Sequence, residues 1–327
     1  MKTFNLLTYL VILSISVSAC SSDTMPRYSI IQGLRTLALV ADSPEINFDG
    51  TNFTPNSVNL TPTISDLYGS GRALSFNLYW CLDPGIGLGV IPSCDGNPSA
   101  VRDATLQNVA ITAPSGTFSA PNYTGSLAPI PLNFTSGFMG AGAFSYYTAR
   151  FASLSGAQLY NGYSILVFFE LYPTGDTSQK ITSFKRIVFS GPSKTFKNTN
   201  PSNLEIRLNG TEITSLPSSQ ASLEAYLPSS QAESYFAQST LGTLSAATET
   251  LETAWFFTGP ADISCSKKKE CTTDGYLALA RSVPGELNLF YPPQGATPST
   301  RGRILIGVAK DNRGGISVKR YLDGTGP

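Results

Sequence analysis

The sequence predicts an all-β protein, with two tandem antiparallel β-sandwich domains behind an N-terminal export segment. Three observations predict it. Gly 29, Pro 22 and abundant Ser, Thr and Asn, together with Tyr 15 and Phe 18, favour strands joined by turns over helices. Short apolar or alternating runs recur at sandwich spacing, with turn residues between them. Two local cysteine pairs, Cys81 with Cys94 and Cys265 with Cys271, suit disulfides in an oxidising compartment.

Lys2 gives a positive start, and Leu6 to Val17 form an apolar core of about a dozen residues, short of the ~18 to 20 that span a bilayer as a helix. Residues 1–19 therefore read as an export signal. Val17-Ser18-Ala19-Cys20 resembles the lipobox of bacterial lipoproteins. The resemblance implies cleavage before Cys20, a diacylglyceryl thioether on its sulfur, and acylation of the new amino terminus. Two or three acyl chains, at ~0.8 kcal/mol per buried methylene, anchor a protein stably where one myristoyl chain does so marginally. The alternative is a plain secretory signal with a chance cysteine near the cut. Position 21 is Ser, where an Asp favours inner-membrane retention in enteric bacteria, so the analogy points to the outer membrane and leaves open whether the protein faces the periplasm or the cell surface. Residues 20–27 make the lipidated tether.

The first domain is expected over 28–190. "YSIIQGLRTLALVADSPEI" carries an apolar run that Asp42-Ser43-Pro44 ends, as a strand and turn would. Leu74, Phe76, Leu78 and Trp80 alternate with Ser75, Asn77 and Tyr79. That period of two predicts a half-buried strand with Trp80 toward the core and Cys81 on the opposite side. Ile165 to Phe169 is apolar on both parities and is followed by "PTGDTSQ" and a second strand, Ile181 to Phe189, which together predict a hairpin. Residues 103–162 show no clear period and read as a long irregular insertion of strands, a short helix or loops.

Residues 191–203, "GPSKTFKNTNPSN", are polar with two prolines and read as a linker. The second domain, 204–327, offers strands at Leu204 to Leu208, Ser222 to Leu227, Ser234 to Gln238, Leu251 to Phe257, Tyr276 to Ala280, Glu286 to Tyr291, Arg303 to Lys310 and Ile316 to Tyr321. Asp311-Asn312-Arg313-Gly314-Gly315 joins the last two, its glycines supplying the positive φ of a hairpin turn. "LSFNLYWCLDPG" and "LETAWFFTGPADISC" echo each other weakly, each placing Trp on a strand before a cysteine-bearing loop.

The pieces "GLRTLALVADSPEI", "LYWCLDPG", "FKRIVFSG", "NTNPSNLEI", "ETAWFFTG" and "ILIGVAKDNRGGISVKRYL" resemble a group of Gram-negative surface lipoproteins with immunoglobulin-like domains, known mostly from predatory and gliding bacteria. The resemblance implies two tandem immunoglobulin-like antiparallel β-sandwich domains after a lipoprotein signal peptide, with no defined catalytic residues. Residues 103–162 depart from it.

Charge is low, at 13 % of residues, and loss of Lys2 from a chain with 22 basic and 22 acidic residues leaves a net charge near −1, so no basic face points to nucleic acid. There is no histidine, which removes Ser-His-Asp and Cys-His nucleophiles and imidazole metal sites. Metal ligation by the cysteines lacks C-x-x-C spacing, and no cofactor is expected. Asp83 and Asp95 flank the first cysteine loop and could serve a carboxylate-dependent hydrolase, although Asp beside Pro and Gly is first a turn former. Asp311 and Asn312 resemble part of a calcium loop without its alternating Asp or terminal Glu. Lys267, Lys268 and Lys269 sit inside the second cysteine loop, as a solvated tip or a contact for anionic lipid or polysaccharide. Five Asn-x-Ser/Thr matches carry no weight in a bacterial lipoprotein. In the stretch Phe134 to Phe151, the aromatics Phe134, Phe138, Phe144, Tyr146 and Tyr147 make a contact patch for a protein or polysaccharide if exposed, and core if buried. The expectation is a non-enzymatic, lipid-anchored outer-membrane module for adhesion, binding or envelope scaffolding, with carbohydrate binding as the alternative.

Overall fold

The computed structural model describes residues 33–66, 69, 71–85, 92–102, 109–111, 123–238, 243–258, 276–277, 281–291 and 304–322. The signal, Cys20 and the tether, the Cys265 and Cys271 pair and Lys267 to Lys269 lie outside them. Among the described residues the chain is built mostly of strands in several antiparallel sheets, as an all-β reading requires.

The first part runs through β1 (Arg35–Ala41), β2 (Glu45–Phe48), β3 (Phe53–Thr54), β4 (Ser57–Asp66), β5 (Leu74–Leu82), β6 (Val101–Arg102), β7 (Val109–Ile111), β8 (Tyr123–Ser126) and β9 (Ile130–Asn133). Three helices follow, α1 (Ser136–Met139), α2 (Ala141–Ala152) and α3 (Gly156–Asn161), then the strands β10 (Tyr163–Pro173) and β11 (Ile181–Ser190). One sheet is ordered β1-β4-β8, with β9 also on β4; the other is β3-β2-β11-β10-β5-β6, with β7 on β5. Only the short β2 to β11 pairing among these is parallel. The expected hairpin forms, Tyr163 to Leu171 facing Phe189 to Ile181.

Strand β5 shows how pattern becomes packing. Leu74, Phe76, Leu78 and Trp80 enter the main core, whereas Tyr79 and Cys81 face the other way, as alternation dictates. That second face is not open to water, so the half-buried reading is corrected. Cys81 bonds to Cys94, and the returning loop lays Cys94 and Ala100 over Tyr79, Cys81, Leu166 and Phe168.

The expected irregular insertion contains ordered structure in its described residues. Ala143, Tyr147 and Phe151 recur every fourth residue and form the buried stripe of α2. Phe134, Met139, Tyr147 and Phe151 join the core lined by the two sheets, where Phe134, Tyr147 and Tyr163 surround Phe189. The contact-patch reading is therefore corrected for Phe134 and Tyr147, which are buried. Phe138 and Phe144 are partly buried against the same core, Phe138 stacking on Trp80, and Tyr146 alone of the five is exposed, at 36 %.

The second part contains β12 (Glu205–Leu208), β13 (Thr211–Glu212), β14 (Ala221–Tyr226), β15 (Ser234–Gln238), β16 (Leu244–Thr248), β17 (Leu251–Thr258), β18 (Tyr276–Leu277), β19 (Arg281–Ser282), β20 (Leu287–Tyr291), β21 (Ile304–Asp311) and β22 (Ile316–Leu322). They form a β13-β12-β14-β20-β18 sheet, a β19-β17-β21-β22 sheet and a β15-β16 ribbon. Ile206, Leu223, Ala225 and Phe290 from the first meet Trp255, Phe257, Leu305 and Ala309 from the second in a separate core. Gly307 allows this approach, because a Cβ there would lie 3.1 Å from Ile206 Cδ1. Both tryptophans are wholly buried, and Trp255 Nε1 donates to Ser282 Oγ at 2.7 Å.

β1 ties the two parts together. Leu39 and Ala41 belong to the N-terminal core, but the register slips between Thr36 and Ala38, and Leu37 and Ala38 turn onto the outer face of the β17-β21-β22 sheet. There they pack with Ala254, Ile304, Ile306 and Val308. This second buried face explains why β21 is apolar at successive positions.

Candidate functional site

A connected polar cluster lies where these two parts meet, beside the apolar contact of β1. Its centre is Arg313, in the turn between β21 and β22. That turn is the expected hairpin: Asp311 N–H donates to Gly315 O at 3.1 Å, and Gly314 has φ +104. Gly315 is required for a different reason, since a Cβ there would collide with Asp311 Oδ2. Asp311 Oδ1 accepts from the backbone N–H groups of Arg313 and Gly315, which is turn chemistry of the kind the sequence suggested and accounts for the calcium-like pattern.

The turn aims the guanidinium across the junction. Arg313 Nη2 donates to Glu45 Oε2 on β2 at 3.0 Å, and Nη1 reaches Glu249 Oε1 at 2.9 Å and Glu233 Oε2 at 3.5 Å. Its plane lies over the Tyr235 ring, 4.7 Å from the centroid. Lys194 Nζ pairs with Glu45 Oε1 at 2.8 Å, and Asn198 N–H donates to Glu45 Oε2 at 2.9 Å. From β11, Lys185 Nζ donates to Gly314 O. Asn200 completes the seam, donating to Ala41 O and accepting from Ile316 N–H. Lys194, Asn198 and Pro201 are buried, so residues 191–203, read as a linker, thread through the junction as part of it.

Burial sets the electrostatics, because desolvation disfavours each charged form. At Glu45 that penalty is outweighed by the Lys194 charge and by hydrogen bonds, and the carboxyl lies below its ordinary value. At Glu249 burial wins, reinforced by the charges of Asp311 and Glu233, and the carboxyl is pushed up to about 7. Burial draws the Lys185 ammonium down to about 8, against the pull of Asp311.

A second feature lies on the outer face of the seven-stranded sheet. The strand register places Arg102, Tyr79, Phe168 and Phe184 in one cross-strand row. Arg102 sits 4.4 Å from the Tyr79 centroid, Tyr79 stacks on Phe168 at 5.0 Å, and Phe168 meets Phe184 at 6.3 Å. Phe184 ends the row with 41 % of its surface exposed. Glu170 lies beside it, accepting from Asn77, Tyr79 and Lys180.

The carboxylates singled out in the sequence are engaged locally. Asp83 accepts from Gly85 N–H, Ser164 Oγ and Arg186 Nε, the last at 2.8 Å. Asp95 accepts from Ser93 Oγ and pairs with Arg102 at 3.3 Å. No group of three metal-ligating side chains is found among the described residues, and no helix there is long and apolar enough to cross a membrane. The junction was missed in the sequence: Glu45 and Arg313 are 268 positions apart, and apart from Lys185 inside β11 its charged residues lie at strand ends or in connecting segments, where charge is ordinary and points to no partner. The chain matches no protein-family model and no curated protein.

Proposed function

We propose that this chain is a non-enzymatic lipoprotein, anchored in the outer membrane through lipid on Cys20, whose two immunoglobulin-like β-sandwich domains serve as an adhesion, binding or envelope-scaffold module. The observation that carries the reading is the junction. A buried apolar contact and a buried ionic network hold the two pairs of sheets against each other, which suits fixed surfaces presented at a distance from a tether. The engagement of Asp83 and Asp95 in turns and ion pairs favours this over a carboxylate-dependent hydrolase. Replacing Cys20 with Ala and fractionating cells tests the anchor: release of folded protein is expected, and retention in the membrane overturns it. Protease treatment of intact cells, with lysed cells as control, then separates the roles. Digestion on intact cells supports adhesion, and protection there supports a scaffold facing the periplasm.

Carbohydrate binding is the second reading, favoured by the exposed Phe184 ring at the end of an aromatic row with Glu170 and Lys180 beside it. A glycan array probed with the folded protein and with Phe184→Ala tests it. Signals lost in the variant support the reading, and an array without signals removes it.

A further inference from the structure

We propose that the junction is a proton-operated clamp: the Glu249 carboxylate, which shares one nitrogen of Arg313 with Glu233 between the two pairs of sheets, takes up a proton on mild acidification and holds the parts together more tightly. One guanidinium charge serves three carboxylates. Arg313 Nη2 faces Glu45, which also has Lys194 Nζ and Asn198 N–H, and the two N–H groups of Nη1 are turned to Glu249 and Glu233. Glu233 additionally accepts from Thr199 N–H and its hydroxyl, and Glu249 from Glu233 N–H. None of these neutral donors cancels a charge.

The groups around the pair come from every surrounding segment: Glu45 on β2, Lys185 on β11, Lys194 in the threading segment, Tyr235 on β15, Lys310 near the end of β21, and Asp311 and Arg313 at the last turn. Within the ion-paired network three carboxylates, Glu45, Glu233 and Glu249, thus meet two cations, Lys194 and Arg313, while Asp311 is balanced beside it by Lys185 and Lys310. A surplus negative charge in a buried cluster is relieved most cheaply by binding a proton. The upward displacement of Glu249 to about 7, with Glu45 held low, places that proton on Glu249.

The sign follows from linkage. Between the ordinary carboxylate value of 4.5 and about 7 the folded protein holds a proton on Glu249 that the unfolded chain has released, so this group's stabilisation grows as pH falls through 7 and disappears as pH rises through it. Glu45 acts only lower, its stabilisation being lost as pH falls below 4.5. Lys185, already charged in both states below about 8, acts only above that value.

The test is the thermal midpoint of the full chain in detergent from about pH 5 to about pH 8, for the wild type and Glu249→Gln. The wild type should lose a few degrees as pH rises through about 7. Glu249→Gln, neutral at every pH, should stay high and flat across that window. A wild-type profile flat near 7, or an unaltered slope in Glu249→Gln, overturns the proposal. Carbon-detected titration of the wild-type glutamates checks the site without a variant: one carboxyl should titrate near 7, and ordinary values throughout overturn it. Amide exchange of residues 311–316, corrected for intrinsic rate, should be slower at the acid end, and equal protection at both ends overturns the clamp.

Discussion

Arg313 concentrates much of the junction's energy in one side chain. Truncating it leaves Glu45 and Glu249 buried and without their shared cation, and loss of one partner from a buried ion pair costs roughly 3–5 kcal/mol. Arg313→Ala should therefore unfold at clearly lower urea concentration, whereas Arg313→Lys keeps the charge but cannot serve Glu45 and Glu249 with separate nitrogens and should fall between. Two glycines make a contrasting pair. Gly142 lies inside α2 with open space around its missing Cβ, so Gly142→Ala should stabilise by about 0.5–1 kcal/mol. Gly162 has φ +71 and its Cβ would strike the backbone of Phe189, so Gly162→Ala should destabilise in the same urea titration. The Asp311 to Gly315 turn was legible in the residues because its chemistry is local. The reach of Arg313 was not, because its partners belong to strands that only the fold brings near.

At the scale of elements, period and length decided what could be read. β5 and the β10-β11 hairpin follow from alternation and turn residues, and the eight strands expected in the second part fall close to their bounds where described, whereas β16, with Leu244, Ser245, Ala246, Ala247 and Thr248, was not anticipated. Two-residue strands such as β13 and β19 carry no period to detect. Helix α2 escaped for a different reason: Phe144 and Tyr146 lie off its buried stripe and obscure the four-residue spacing of Ala143, Tyr147 and Phe151. The Cys81 to Cys94 bridge closes a separation of 13 residues, for which chain entropy gives roughly 2.5 to 3 kcal/mol. The double variant Cys81→Ser with Cys94→Ser should lose about that much in chemical denaturation, with the β5 face made wetter where the returning loop covers it.

Across the whole molecule, two cores were foreseeable from the number and spacing of strands, but their coupling was not. A polar, proline-bearing stretch reads as a solvated linker until its Lys194 and Asn198 find Glu45. The coupling predicts a single cooperative unfolding transition for the described parts. Leu37→Ala, which empties part of the contact with Ile304, Ile306 and Val308, should combine with Arg313→Ala to split that transition into two, read by differential scanning calorimetry.

The position of β1 has a mechanical side. It is the first strand of the described chain, pairs along its length with β4, and places neighbouring residues in contact with both pairs of sheets. Tension applied at its N-terminal end therefore loads both bodies through one strand at once, and peeling that strand away is the event that would let them part under force.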